Sequence, residues 1–486
     1  MSISCERKNK LEVLYSYYRA LKYSLLVGII AILFTGCMAN LANSVGIDIT
    51  NSVEQNENFI AGNYAGAAAL AVENKNKESK LDEENLLSTL KAGNSYLYAN
   101  YYDDSIKMLD ESEAIIKFHH EEALALSGAD YMVQLMFNDA VIDYHASISD
   151  SVMVNTYKSL NYMALGKLSE ARVELNRAVD RQRRAKNTYA ELIQKQKDAI
   201  SHKRREGNSK AIDKTLDNSQ LKSSVARNYS YLEEFKTYPD FINPFTTYLA
   251  GLFFAIEGDY SKSSSLLKEV YGMMPDNKTV KADFEMVESA LSGELTKDKY
   301  VWVIYENGLC PVKYEYKITI PVWLVPNKIN YTEISLPKMY IRSQATPKLS
   351  IISNGKLLNE TSVVGDMDRV ILTEFKYSYN DILTRAVFST LLKTYAQHEA
   401  EKREDYVGFA TTVFRLLTTH SDTRVWNSMP KDFQIARVKM PNDGKLLLKA
   451  GTHSIDVKVD SNAKGSIVYV RIPTAKSKPG FSIINF

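Results

Sequence analysis

Apolar side chains recur at helical spacing from about residue 50 to about residue 295, and proline is almost absent there, so this half predicts a run of packed helices. The texture changes at Lys299-Tyr300, where Tyr300-Val301-Trp302-Val303-Ile304-Tyr305 is β-branched and aromatic. Glu306-Asn307-Gly308 predicts a tight hairpin turn, because Asn-Gly supplies positive φ angles, with Tyr314–Ile320 as the returning strand. Pro321 and Pro326 punctuate that strand, Tyr331–Leu336 starts another, and Ser350–Ile352 and Val370–Leu372 are weaker strand candidates. Helices are predicted next, from Asp381 to about Ala400 and from about Tyr406 to Thr418. From Phe433 to about Ile472 the chain is strand-like again, with turns at Asn442-Asp443-Gly444 and Lys449-Ala450-Gly451. Ser454–Asp460, which alternates strictly, and Gly465–Arg471 are expected to pair as a hairpin. The expected fold is α+β, with an all-α domain over 37–298 and a strand-rich domain with an antiparallel sheet over 299–486.

The helical half repeats itself when searched at a period of roughly 34 residues. Its best copy is Gly251-Leu252-Phe253-Phe254, Gly258-Asp259-Tyr260, Ser263, Leu267, Val270 and Pro275. This resembles the tetratricopeptide pattern, in which small residues let two helices approach, large ones fill the groove and proline ends the second helix. Weaker copies are Gly93, Tyr96, Tyr102, Ser105 and Leu109, and Tyr162, Gly166, Leu168, Ala171, Leu175 and Ala178. Gly62, Tyr64, Ala67 and Ala71 form the second half of a capping copy. The spacing between copies is irregular, so insertions are expected, and repeats of this kind offer a concave face to a partner.

Arg7, Lys8, Lys10, Arg19 and Lys22 form a basic leader, and the apolar run Leu25–Phe34 follows it. Basic region, short apolar region and small residues are the plan of a secretory signal. The run falls short of the about 20 apolar residues a membrane span needs. Leu33-Phe34-Thr35-Gly36-Cys37 resembles the lipobox of bacterial lipoproteins, with Phe34 where leucine is commonest. The resemblance implies that residues 1–36 are a signal peptide and that Cys37 carries the lipid anchor. Met38, in place of an aspartate after the cysteine, implies the outer membrane, facing the periplasm. Cys5 would leave with the leader, so Cys310 is expected to remain as a buried thiol without a disulfide partner.

Sixty basic and 58 acidic side chains give a formal net charge of +2, which argues against a dedicated nucleic-acid binder. Positive charge gathers instead at about residues 179–236, in Arg181, Arg183, Arg184, Lys186, Lys195, Lys197, Lys203, Arg204 and Arg205. Gly207-Asn208-Ser209 breaks the segment, which predicts two long helices projecting as an arm. A solvated helix face is the ordinary account of such charge. The functional account makes Arg181, Arg183, Arg184, Arg204 and Arg205 a contact for peptidoglycan carboxylates, lipid headgroups or an acidic protein surface.

Motifs that carry chemistry are sparse. His119-His120-Glu121-Glu122 is a dense set of potential ligands, yet adjacent helical histidines point about 100° apart and do not chelate together. No nucleophile elbow, phosphate loop or dinucleotide fingerprint stands out, so no catalytic residue, metal or cofactor is implied. Asp422, Arg424 and Trp426 are candidates for lining a binding groove, because arginine beside an aromatic is a common recognition pair. The plainer role has Arg424 bridging a carboxylate and Trp426 anchoring a corner.

Glu306-Asn307-Gly308-Leu309-Cys310-Pro311-Val312-Lys313 resembles the Glu-Asn-Gly-Leu-Ala-Pro-Val-Lys signature of an uncharacterised family of bacterial tetratricopeptide envelope lipoproteins. Asp422-Thr423-Arg424-Val425-Trp426, Pro430 and Gln434-Ile435-Ala436-Arg437 resemble a second block of that family. The family has no established activity, and some members are encoded beside lipoproteins that activate penicillin-binding proteins. The resemblance implies a non-enzymatic envelope scaffold, anchored in the membrane through Cys37, with other envelope proteins as partners. The alternative is a peptidoglycan-binding protein or cell-wall enzyme.

Overall fold

Five helix ends in the N-terminal half close in the same way. At Gly62, Asn100, Gly166, Gly258 and Gly293 the backbone takes φ of 84, 64, 70, 82 and 90°. The next residue's N–H then donates back to the helix just ended, Asn63 to Asn58, Tyr101 to Tyr96, Lys167 to Tyr162, Asp259 to Phe254 and Glu294 to Ser289, at 2.8–2.9 Å. These bonds satisfy carbonyls that a helix terminus leaves unpaired. Four of the ends join a helix pair. The helices in chain order are α1 (Ile49–Ala61), α2 (Tyr64–Glu73), α3 (Glu84–Tyr98), α4 (Tyr102–Ala125), α5 (Ile148–Ala164), α6 (Leu168–Glu206), α7 (Ser219–Tyr229), α8 (Tyr231–Glu234), α9 (Pro244–Ile256), α10 (Tyr260–Met273) and α11 (Lys278–Leu291). The hairpins are α1–α2, α3–α4, α5–α6 and α9–α10, and α11 stands as the first helix of a fifth.

The same packing recurs inside the hairpins. A Cβ at Gly251 would lie 2.8 Å from Leu267 Cδ2, and one at Gly93 would lie 2.6 Å from Leu109 Cδ2. Ser263 Oγ donates to the Gly251 carbonyl at 2.7 Å, and Ser105 Oγ to the Gly93 carbonyl at 2.6 Å. Helix–helix contact there is backbone against side chain, which only glycine allows. These two expected copies therefore share one register. Their irregular spacing arises where chain is inserted after α4 and after α6.

The computed structural model describes residues 49–75, 84–125, 144, 146–206, 217–234, 236–238, 242–325, 328–401 and 421–486. Cys37 and the helix expected at Tyr406–Thr418 lie outside the described residues, as does the break at Gly207-Asn208-Ser209. Asn51–Phe486 form one compact unit.

The C-terminal half supplies β1 (Tyr300–Asn307), β2 (Val312–Val325), β3 (Lys328–Tyr340), β4 (Ser350–Ser353), β5 (Lys356–Glu360), β6 (Ser362–Asp366), α12 (Met367–Glu401), β7 (Asp432–Lys439), β8 (Lys445–Ala450), β9 (His453–Lys458), β10 (Gly465–Ile472) and β11 (Gly480–Asn485). A five-stranded sheet has the order β11-β10-β1-β7-β6, a four-stranded sheet β5-β4-β8-β9, and β2 and β3 form a ribbon. Within the five-stranded sheet β1 and β10 run parallel and the other pairs antiparallel. The fold is α+β, as expected. One face of the five-stranded sheet packs Trp302, Ile304, Phe433, Tyr469 and Ile484 into the helices' core. Its other face packs Val301, Val303, Val468 and Val470 against Ile351, Leu446, Leu448 and Val457 of the four-stranded sheet. Helices, central sheet and outer sheet are thus three layers. The change at residue 299 is one of secondary structure, and the expected separation into two domains is not seen, because both halves build one core.

Burial accounts for three local departures. The hairpin expected at Glu306-Asn307-Gly308 does not form. Both side chains are buried at the end of β1, Gly308 turns the chain away with φ 68°, and Tyr314–Ile320 pairs with β3 instead. Ser454–Asp460 and Gly465–Arg471 also do not pair. The alternating segment, β9, has one wet face and lies in the outer sheet beside β8, whereas β10 is buried along its whole length and lies between β1 and β11. Val370–Leu372 is helical, because α12 starts at Met367, where Asp366 caps it by accepting from the Arg369 N–H at 3.2 Å.

Candidate functional site

The first helices α3, α5, α9 and α11 face the five-stranded sheet, Tyr64 of α2 reaches it from the capping hairpin, and polar side chains weld helices and sheet together. Glu306 and Arg471 are register partners on β1 and β10, each fully buried, with Arg471 Nε 3.4 Å from Glu306 Oε2. Tyr98 of α3 donates to Glu306 at 2.5 Å, and Tyr469 donates to its other oxygen. Arg471 donates to the Gly308 carbonyl at 2.6 Å and the Ser428 carbonyl at 3.2 Å, and its guanidinium lies 5.6 Å from the Phe59 and Tyr98 ring centres. Burial pushes the Glu306 carboxyl above its ordinary range, against the pull of Arg471 and the tyrosines. An acid and a base each interrupting an apolar strand was the sequence signal for this pair.

A second weld centres on Asp283 of α11. Tyr248 donates to it at 2.7 Å, Arg437 at 2.6 Å and the Trp302 indole at 3.2 Å. Beside it the Phe245 and Phe433 rings stack at 3.7 Å. Asn307 completes the seam on the outer-sheet side, donating to Asp432 and accepting from the Ala345 and Thr346 N–H groups at 3.0 and 3.2 Å. The face of the repeats expected to be open to a partner is therefore covered by the chain's own sheet.

Trp426 belongs to this interior and lines no groove. It is fully buried, edge-on to Tyr157 with ring centres 5.7 Å apart, and its carbonyl accepts from Cys310 Sγ at 3.5 Å. Arg424 bonds Asp422 at 2.9 Å, the bridging role, and both side chains are part-buried. Cys310 is buried as expected, and burial pushes its thiol up to about 11, away from reactivity.

The outer face is built from the second helices. Lys158, buried on the first helix α5, reaches their carboxylates and is held by Asp110 and Glu113, each at 2.7 Å, and by Glu174 at 3.1 Å. Burial opposes its charge, but these carboxylates outweigh that and hold it above the ordinary lysine value. Arg181 is drawn into the same cluster, bonding Glu113 at 2.6 Å and the Ser151 carbonyl at 3.0 Å, so it is an internal strut instead of a free contact. The side chains of Arg204 and Arg205 lie outside the described residues. After the break the expected arm does not project. Tyr229 of α7 bonds the Pro337 carbonyl at 2.9 Å and packs on Tyr379, and Tyr231 reaches the Met339 N–H.

Between α6 and α10, where the post-α6 insertion separates two hairpins, a groove of about 610 Å³ opens on this outer face. Val179 and Leu266 form its apolar floor, and Arg183, Lys262, Asp259 and Ser265 stand around it. Arg183 is thus the candidate arginine that reaches a cavity, while its neighbour Arg184 pairs with Asp180 at 3.3 Å. Among the described residues no cluster of three or more His, Cys, Asp or Glu is placed to hold a metal, and no helix is long and apolar enough to cross a membrane. Comparison of the chain with known protein families, with curated proteins and with solved structures finds no match.

Proposed function

We propose that this chain is a non-catalytic scaffold of a bacterial cell envelope, lipid-anchored through Cys37 in the outer membrane and facing the periplasm, that binds other envelope proteins through its outer face. The observation that carries the reading is the division between seam and surface. The buried titratable groups at the seam bond one another across it, where a substrate has no access, while the outer helices present a groove and uncompensated charge. Such a division suits a rigid adaptor, since enzymes place perturbed groups in a cleft. The repeated hairpins and the segment Leu33–Cys37 support the kinship with tetratricopeptide envelope lipoproteins.

Photo-crosslinking in intact cells, with the crosslinker on the exposed side chains of the second helices, tests the reading. Discrete adducts to one or a few envelope proteins are expected. Release of soluble muropeptides from sacculi by the purified protein would replace the scaffold with a cell-wall enzyme. Salt-sensitive sedimentation with sacculi, without protein adducts, would replace it with a peptidoglycan binder. Fatty-acid labelling of the wild type and not of Cys37→Ser tests the anchor, and equal labelling would refute it.

A further inference from the structure

The charges around the α6–α10 groove do not balance. Asp180 is engaged by Arg184 at 3.3 Å, and Asp259 by Arg172 at 3.2 Å. Arg177 and Arg181 of the same helix are held by Glu174 and Glu113. Lys262 donates to the amide oxygen of Asn176, its ammonium lies 4.4 Å over the Phe254 ring, and among the described residues no carboxylate forms an ion pair with it. Arg183 is exposed on the opposite wall, and among the described residues no carboxylate comes within 4 Å of it. The half-buried Glu269 lies within reach of its field without pairing with it, and burial raises that carboxyl against the pull of Arg183. The rim acids Asp180 and Asp259 are thus engaged by other arginines, and Arg183 and Lys262 stand on either side of an apolar floor with no ion pair among the described residues.

That floor is Leu266 and Val179, 1% and 7% exposed, at the bottom of a cavity within the range of about 300–1,000 Å³ typical of ligand pockets. A basic or neutral occupant would leave both cations uncompensated, whereas an acidic one gains on each wall. We propose that the groove binds an acidic segment of a partner protein, with an apolar side chain seated on Val179 and Leu266 and a carboxylate paired with Arg183. The proposal rests on the scaffold reading and gives its partner a chemistry.

The test is fluorescence anisotropy of the full-length protein with a fluorescein-labelled synthetic peptide of alternating glutamate and leucine, beside its glutamine counterpart. The acidic peptide should bind saturably and at least about tenfold more tightly than the glutamine peptide. Arg183→Glu should weaken it about tenfold or more, and Ser265→Trp, which fills the cavity from an exposed position, should abolish it. Lys445→Glu, on an exposed position of the outer sheet, should bind as the wild type does. No saturable binding, equal affinity for the two peptides, or indifference to both Arg183→Glu and Ser265→Trp would overturn the proposal. A photo-crosslinker at Ser265, compared with one at Tyr331 on the distant ribbon, keeps the two readings apart. Adducts from Tyr331 alone would remove the groove and keep the scaffold, and muropeptide release would remove the scaffold whatever the peptides do.

Discussion

The inner and outer faces of the helix hairpins use charge in opposite ways. On the inner face Glu306, Asp283 and Asp432 are buried, and burial raises each carboxyl above its ordinary range. Outside, Glu113 also feels burial, but Lys158 and Arg181 outweigh it and hold the carboxyl below that range. The inner groups each bond several partners from different elements, so that removing one strands the rest. Outside, Lys158 and Glu174 are buried as well, but Glu113 and Arg181 keep contact with water, which compensates a lost partner there. Polar residues therefore fix how helices and sheet fit together on one face and remain available for recognition on the other.

The largest expected effect is at Glu306. Glu306→Ala leaves Arg471 charged and buried with no counter-ion, and breaking a buried pair in this way costs about 3–5 kcal/mol. Urea unfolding should show that loss, and Glu306→Leu with Arg471→Met should recover much of it, since both charges then leave together. A single variant within about 1 kcal/mol of wild type would mean that the inner face is no more demanding than the surface.

How much of this was legible in the sequence depends on whether the signal was local. The hairpin turns were, because Gly62, Gly166 and Gly258 meet a local demand for positive φ and Ser263 sits one helical hairpin from Gly251. Strand partnership was not. Asn307-Gly308 looks like a hairpin turn, yet Asn307 is bound by Asp432, Ala345 and Thr346, residues brought together by the whole fold. The pairing of β1 with β10 joins segments more than a hundred and fifty residues apart, and the hint was a lone acid and a lone base in apolar strands. The candidate site divided likewise. Charge alone put Arg181 and Arg183 together, and only packing made one a strut and the other a groove residue.

Gly251→Leu sharpens the comparison from within a hairpin, since Gly251 lies where an inner helix meets an outer one. Its new side chain would press on Leu267, whose Cγ would lie 2.9 Å from the first added carbon. Overpacking of this kind costs about 1–3 kcal/mol and should lower the melting temperature. If the faces are coupled through their hairpins, peptide affinity at the α6–α10 groove should fall as well. An unchanged melting temperature would show that the hairpin does not pack as described.

A pH series separates the faces without mutation. Burial raises Asp368 to about 7, against the opposing pull of Lys431, and raises Glu374, which caps α5 through the Ile148 and Ser149 N–H groups, also to about 7. In the unfolded chain both titrate near about 4. Between those values the native state holds protons that the unfolded state has released, so native stability grows as pH falls through 7 and is lost as pH rises past it. The gain expected between about pH 8 and about pH 5 is about 2–3 kcal/mol from each of the two groups, and Asp368→Asn should flatten the curve. Stability rising with pH over that window would contradict the assignment.

The smallest expected effect is the sharpest control. Arg184 and Asp180 form an i,i+4 pair on α6 whose side chains are 74% and 59% exposed. Water and salt screen such a pair, and ordering two long side chains offsets most of what attraction remains. Arg184→Ala should therefore shift stability by no more than about 0.5 kcal/mol, and Arg183→Ala should do the same. Their consequences should differ elsewhere, because freeing Asp180 places an unpaired carboxylate on the rim of the groove. Arg184→Ala is then expected to weaken the acidic peptide modestly through Asp180, and Arg184→Glu, which adds a second negative charge beside it, to weaken it further. A stability loss from Arg184→Ala comparable to that from Glu306→Ala would erase the distinction between the faces. A silent unfolding curve with altered peptide affinity would place the two properties on opposite sides of the same helices.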